Sequence, residues 1–345
     1  LKIFRKPLWI LAALLVLLTS AVYTGCQNNN TNGNSKEYKI SDYFPFTANL
    51  KTVYEGVGNE YASYTSYVDY IKGDKMQTRT DNGGTVSAKV YQNTNGELVL
   101  LYSAGETYYK QDFTAAEPKQ HDVLLKEPIK VGTKWNMDDG STRSITGVDV
   151  SVTTPSGKYQ ALEVTTVGSN STTKDYYVLN KGLVKSVWAS GNFEVSSSLK
   201  EYLTDVAYDF TVRMYNFRVT QTDIETVYRD VPVALKTNEE IKDPFQNTFR
   251  EGGLMTKNTK INSVYVKPGE GIAYVDFTQQ FVTEMNAGTT KESGVLRSVT
   301  NTLGYYYQVE KVVITLDGGP YSSGHIYMNP GEYFETYYEG EVQVQ

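Results

Sequence analysis

Turn signals recur at short, regular spacing between residues 45 and 203, and they leave no room for a helix of more than a turn or two. Gly73-Asp74, Asp81-Asn82-Gly83-Gly84 and Asn93-Thr94-Asn95-Gly96 punctuate the first half of this stretch. Gly, Asn and Asp supply the backbone conformations that tight turns need. Between these turns, side chains alternate. Tyr64, Ser66, Val68 and Tyr70 fall on one face of an extended chain, with Thr65, Tyr67 and Asp69 on the other. Residues 86–91 and 97–102 flank the third turn as a hairpin. The pattern repeats through 131–135, 142–152, 159–167, 175–179 and 181–185, with Pro155-Ser156-Gly157 as a further turn. Tyr far outnumbers Phe and Trp, and with Thr and Val it favours strands. The expectation is an all-β antiparallel domain over 45–203, a curved sheet or barrel-like, with one face lined by Tyr and Thr.

The C-terminal part follows different rules. Residues 211–218 alternate as a strand. Asp243, Pro244 and Gln246 have the cap, first-turn and cap-plus-three positions of a short helix, with Phe245 and Phe249 on one face and Gly252 at its end. Residues 261–266 and 272–277 are strands around Lys267-Pro268-Gly269-Glu270-Gly271. Thr289 and Glu292 have capping-box spacing ahead of a helix with Val295, Leu296, Val299 and Leu303 on one face and Gly304 as its stop. Residues 309–316 form the last strand, and Asp317-Gly318-Gly319-Pro320 turns out of it. The order β-α-β-β-α-β predicts a two-layer α+β unit over 207–325. An acidic, Tyr-rich tail, 326–345, remains to add an edge strand or to bind a partner by strand addition.

The strand Gly271-Ile272-Ala273-Tyr274-Val275-Asp276-Phe277, the helix 296–303 containing Asn301 and Leu303, the strand 309–314 and Asp317-Gly318 resemble the GerM domain of sporulation and spore-germination lipoproteins. The resemblance covers about 207–320. It implies a non-enzymatic envelope domain, similar to the ring-building motifs of secretion systems, with no catalytic residues. Gly271, Tyr274, Asp276, Phe277, Asn301, Leu303, Asp317 and Gly318 are its motif residues.

The N-terminus carries an address. Lys2, Arg5 and Lys6 precede an apolar run, 8–22, which closes at Tyr23-Thr24-Gly25-Cys26. A run of this length is short for a spanning helix. It resembles a bacterial lipoprotein signal, residues 1–25, with Cys26 as the lipidated residue. Tyr23 departs from that family's usual Leu, Val or Ile, and a retained anchor is the alternative. Either way the protein is expected on the extracytoplasmic face of the membrane. Residues 26–44 are expected to form a flexible polar stalk.

Composition narrows the chemistry. The net charge of −6 disfavours nucleic acid. Cys26 is the single cysteine, and His121 and His325 are the two histidines, so no disulfide framework, cysteine zinc site or histidine cage is expected. No cofactor or metal is expected. Asp276 is expected to cap the turn that follows it, and Asn301 to tie a loop. Asp138-Asp139-Gly140 reads as a turn rather than a calcium site. Tyr321-Ser322-Ser323-Gly324-His325 reads as a loop, because it lacks the strand–turn–helix setting of a nucleophile elbow. Tyr305-Tyr306-Tyr307, Tyr327 and Tyr337-Tyr338 are either a contact surface or packing aromatics.

These features predict a membrane-tethered assembly or scaffold component rather than an enzyme. Its expected partners are envelope or sporulation proteins, including further copies of itself. The competing expectation is a binding module holding a glycan, peptide or lipid in the β-domain.

Overall fold

The computed structural model describes residues 37–344 except Thr222, Pro268 and Asn286. The leader, Cys26 and the tract up to Lys36 lie outside the described residues, as does Pro268 of the 267–271 turn. From Tyr38 onward the chain clusters as one unit. It is mostly β, with 49% strand and 13% helix.

The first strands are β1 (Lys51–Val57), β2 (Tyr64–Lys72), β3 (Lys75–Asp81), β4 (Val86–Thr94), β5 (Glu97–Ala104) and β6 (Asp122–Lys126). Each pairs with the next in an antiparallel meander. A second meander runs through β7 (Lys134–Asn136), β8 (Thr142–Thr154), β9 (Gly157–Val167), β10 (Thr172–Val178), β11 (Gly182–Ser190) and β12 (Phe193–Leu203). Strand β12 pairs back onto β1, which joins the two into one sheet of twelve strands. The free edges are β6 and β7, so the sheet is nearly closed. Side chains bridge the seam. The Trp135 indole N–H donates to the Val123 carbonyl at 2.9 Å, and the Arg143 guanidinium donates to the same carbonyl at 2.6 Å. Arg143 also pairs with Asp122 at 2.8 Å. Open sheet edges present unpaired backbone groups, and these bonds occupy some of them.

Residues 38–44 correct the expected stalk. Helix α1 (Ile40–Tyr43) buries Ile40 and Tyr43 in a cluster with Leu98, Leu125, Trp135, Ile145 and Tyr177. The apolar character of Tyr38, Ile40, Tyr43, Phe44 and Phe46 sends this segment into the core, which a polar tract could not enter.

Beyond the sheet, β13 (Tyr208–Val219) and β14 (Ile224–Leu235) form a long hairpin. Then come α2 (Lys242–Glu251), β15 (Ile261–Val266), β16 (Ile272–Phe277), α3 (Gln280–Thr283), α4 (Thr289–Tyr307) and β17 (Lys311–Leu316). Strands β15 and β16 are antiparallel, while β16 and β17 are parallel, joined through α4. Here the structure departs from the expected two-layer unit. Strand β13 does not join β15–β17. It forms a separate sheet with β14, and α4 packs against both sheets.

The reason lies in α4, which is buried nearly all round. Val295, Leu296, Val299 and Leu303 belong to the apolar core. Gly294, Ser298 and Thr302 recur every four residues and admit β13 at close range. A Cβ at Gly294 would stand 2.5 Å from the Phe217 ring, and Thr302 Oγ1 accepts the Tyr215 N–H at 3.0 Å.

The expected caps also need correction. Helix α2 starts at Lys242 with Ile241 before it, and no side-chain cap bond forms at Asp243. Gln246 instead accepts the Ile261 N–H at 3.0 Å. Gly288 precedes α4, and Glu292 accepts the Tyr321 hydroxyl at 2.7 Å inside the core rather than capping the helix. Gly304 does not stop α4, which continues to Tyr307 and ends on Gln308 at φ +56°.

Candidate functional site

The motif strand β16 divides cleanly between its two faces. Ala273, Val275 and Phe277 are buried in the core, while Tyr274 and Asp276 alternate onto the other face. Tyr274 stacks on Tyr265 with ring centroids 5.1 Å apart, and its hydroxyl donates to Glu270 at 2.6 Å. Gly271 enters the strand at φ +66°, in the left-handed region that favours glycine.

Asp276 and Asp317 cap each other's turns. Asp276 Oδ1 accepts the Gly318 N–H at 2.8 Å and the Thr315 hydroxyl at 2.6 Å. Asp317 Oδ2 accepts the Gln279 N–H at 3.0 Å. Asn262 donates to both carboxylates, at 2.7 and 3.2 Å. Asp276 therefore caps the turn after β17, and Asp317 caps the turn after β16. Strand β17 lies parallel and in register with β16, which brings the two turns side by side. Sequence reading places Asp276 on its own next turn because nothing local reveals that neighbour.

Asn301 and Leu303 are fully buried in α4. Asn301 ties the tail, as expected of it. Its side-chain amide donates to the Tyr337 carbonyl at 2.6 Å and accepts the Tyr337 N–H at 2.8 Å. The tail itself is a strap. Strand β18 (Gly319–Pro320) and strand β19 (Phe334–Glu335) pair with β17, and β20 (Val342–Gln343) pairs with β14. It thus runs from one C-terminal sheet to the other across α4, and its edge-strand capacity is used within the chain. Gly304 permits that crossing, since a Cβ there would stand 2.2 Å from Thr336 Cγ2 and 2.8 Å from the Val309 carbonyl oxygen.

Sequence reading missed a buried polar cluster that joins the two halves. Asp69 and Arg79 form an ion pair at 3.0 Å, with both side chains almost wholly buried. Arg79 also donates to the carbonyls of Thr107 and Tyr109, and Gln77 to that of Gln111. These bonds set the 107–113 loop, which reaches the C-terminal half. Lys110 Nζ donates to the Lys236 carbonyl at 2.9 Å, and the Lys110 N–H donates to the Tyr306 hydroxyl at 2.8 Å. Burial pulls the Lys110 ammonium below the ordinary lysine range, and nearby Asp69 opposes that shift. Gln111 pairs with both backbone groups of Val266. The only sequence signal was the pairing of opposite charges on one face of β2 and β3.

The remaining candidates are placed as follows. Asp139 accepts the Ser141 N–H, and Gly140 has φ +83°, as in a turn. Ser323 Oγ accepts the N–H groups of His325 and Ile326 within a loop. Tyr306 and Tyr307 pack inside, while Tyr305, Tyr327 and Tyr337 are exposed. Among the described residues no group of His, Cys, Asp and Glu is placed to hold a metal. No described helix is long and apolar enough to cross a membrane.

The concave face of the large sheet holds a cavity of about 420 Å³. Its walls carry alternate residues of neighbouring strands: Thr52 and Tyr54, Tyr64 and Ser66, Thr78 and Thr80, Ser87, Lys89 and Tyr91. The intervening Gln77 and Arg79 belong to the opposite face, where the 107–113 loop packs.

Three solved structures are similar to part of the chain. One is a candidate exported protein with a YmcC-like fold from Bacteroides fragilis, 12% identical, covering 47% of this chain and 99% of its own, with a TM-score of 0.31. The second is a candidate lipoprotein from Parabacteroides distasonis, 15% identical over 47% of this chain and 98% of its own, TM-score 0.30. The third is a candidate lipoprotein from Clostridium perfringens, 18% identical over 38% and 88%, TM-score 0.24. All three scores are low. No curated protein matches the chain significantly. Residues 215–322 match the family model Germane, described as sporulation and spore germination. That span runs from β13 past β17 and contains every motif residue from Gly271 to Gly318, so this part of the chain is similar to a GerM-type domain.

Proposed function

We propose that the protein is a non-enzymatic assembly component of the cell envelope, acting in sporulation or spore germination. The observation that carries this reading is the match of residues 215–322 to a sporulation and germination family. The GerM resemblance implies kinship with ring-building motifs, and the geometry fits a structural role. Asp276, Asn301 and Asp317 spend their polar atoms on turns and on the tail. The outward face of β15–β16, with Tyr265 stacked on Tyr274, is the surface we assign to contacts with other copies or with envelope proteins. Lipidation at Cys26 would hold the chain on the extracytoplasmic face.

The test has two arms. Light scattering of the full chain across protein concentration, with and without Tyr274→Ala, reads self-association. Crosslinking from position 274 in sporulating cells reads envelope partners. Concentration-dependent assembly, or a crosslinked envelope protein, that disappears in the alanine variant supports the proposal. A monomer at every concentration with no crosslinked partner, or normal spore formation and germination without the gene, overturns it.

A further inference from the structure

We propose that the cavity on the concave face of the β1–β4 wall binds an acidic saccharide. Its volume of about 420 Å³ falls within the range of small-molecule sites. The lining alternates two kinds of surface. Tyr54 and Tyr64 stack on each other at 4.4 Å, and Tyr91 packs against Phe44 at 5.3 Å, so aromatic surface is held rigidly in the wall. Hydroxyls of Ser66, Thr78 and Ser87 interrupt it. A pyranose ring presents the matching pair, apolar C–H faces and a rim of hydroxyls. Ser66 already accepts the Thr80 hydroxyl at 3.4 Å, but an acyl chain would cover the Thr78 and Ser87 hydroxyls without giving them partners, which is costly.

Charge selects an acid among saccharides. Lys89 and Lys181 line the cavity, and among the described residues no carboxylate does. Lys181 lies over the Tyr202 ring at 4.4 Å. Lys89 is half-buried, and its side chain has no ion-pair, hydrogen-bond or ring partner among the described residues. Asp175 pairs across the sheet with the lining residue Ser186 but is not itself among the lining residues. A carboxylate on the ligand would pair with the Lys89 ammonium.

The rim is built as well. Tyr61 stands on a single 3-10 turn, Glu60–Ala62, and is half-exposed at the mouth. Its ring rests on Gly84, where a Cβ would stand 2.5 Å away. Asn82 fixes that glycine turn by accepting the N–H groups of Gly84 and Thr85.

Calorimetry and NMR titration of the full chain test the proposal with three probes. They are a tetrasaccharide of alternating N-acetylglucosamine and N-acetylmuramic acid, the neutral N-acetylglucosamine tetramer, and dodecanoate. The expected result is saturable binding of the acidic tetrasaccharide, with shifts at Tyr64 and Tyr91, and weaker binding of the neutral one. Lys89→Met is expected to cost roughly tenfold in affinity for the acidic probe and little for the neutral one. Tyr64→Ala is expected to weaken both saccharides, and Tyr64→Phe to retain them. Melting curves of each variant identify any that fails to fold. No saturable binding of either saccharide, binding of dodecanoate alone, or an unchanged acid-over-neutral preference in folded Lys89→Met overturns the proposal. None of these outcomes bears on assembly through the C-terminal domain, which is read separately.

Discussion

The carboxamide of Asn301 pairs with the backbone of Tyr337 in both directions, donating to its carbonyl at 2.6 Å and accepting its N–H at 2.8 Å. A side chain on a helix thus takes the part of a neighbouring strand. It anchors the tail between its pairings with β17 and β14. Asn301→Leu removes both partners and leaves two backbone groups of Tyr337 unmatched. The expected cost is about 1–3 kcal/mol. Chemical denaturation measures that loss, and limited proteolysis is expected to show early cleavage within 323–344.

Gly304→Ala is expected to displace the same strap. The new methyl would meet Thr336 Cγ2 and the Val309 carbonyl, and the second contact cannot be relieved by a rotamer change. Overpacking of this kind costs about 1–3 kcal/mol. Thr336→Ser in the same chain removes one clash, so the melting temperature of the double variant is expected to lie between the single variant and the parent.

The Asp69–Arg79 pair is expected to behave as a buried ion pair whose halves depend on each other. Asp69→Ala or Arg79→Met alone strands a buried charge and is expected to cost about 3–5 kcal/mol. Asp69 Oδ1 and Arg79 Nε have no hydrogen-bond partner among the described residues, so desolvation of the pair is incompletely repaid. Replacing both with Leu and Met is therefore expected to cost less than either single change, as read by a double-mutant cycle in urea. A strictly additive cycle would contradict this dependence.

Asp175 predicts a pH effect. Desolvation raises its carboxyl pKa above the ordinary aspartate range, with the Ser186 hydrogen bond and Arg143 opposing. A raised folded-state pKa means that its contribution to stability is full below the unfolded value and is lost as pH rises through the folded value. Asp175→Asn is expected to raise the melting temperature at neutral pH. The gain is expected to vanish in acid below the usual aspartate range, where the parent carboxyl is already neutral. Melting curves across pH check the sign.

The large sheet was legible because its information is local. Turn residues and two-residue alternation state where each strand begins and which side chains share a face. Strands β15 and β16 were read at their observed bounds for the same reason. The caps were read less well. Asp243 and Glu292 have the spacing of capping residues, but no cap bond forms at Asp243, and tertiary packing turned Glu292 toward Tyr321.

Sequence alone determined the strand-rich class, the meander and the similarity of one segment to a GerM domain. Each depends on short-range order or on a motif that travels intact. Tertiary structure decided that β13 leaves the β15–β17 sheet, that the tail closes over α4, and that Asp276 and Asp317 exchange turns. It also placed Lys89 among tyrosines and hydroxyls on one concave face. Those outcomes depend on which surfaces meet across long stretches of chain, and a glycine at 294 or 304 shows its purpose only when Phe217 or Thr336 arrives beside it.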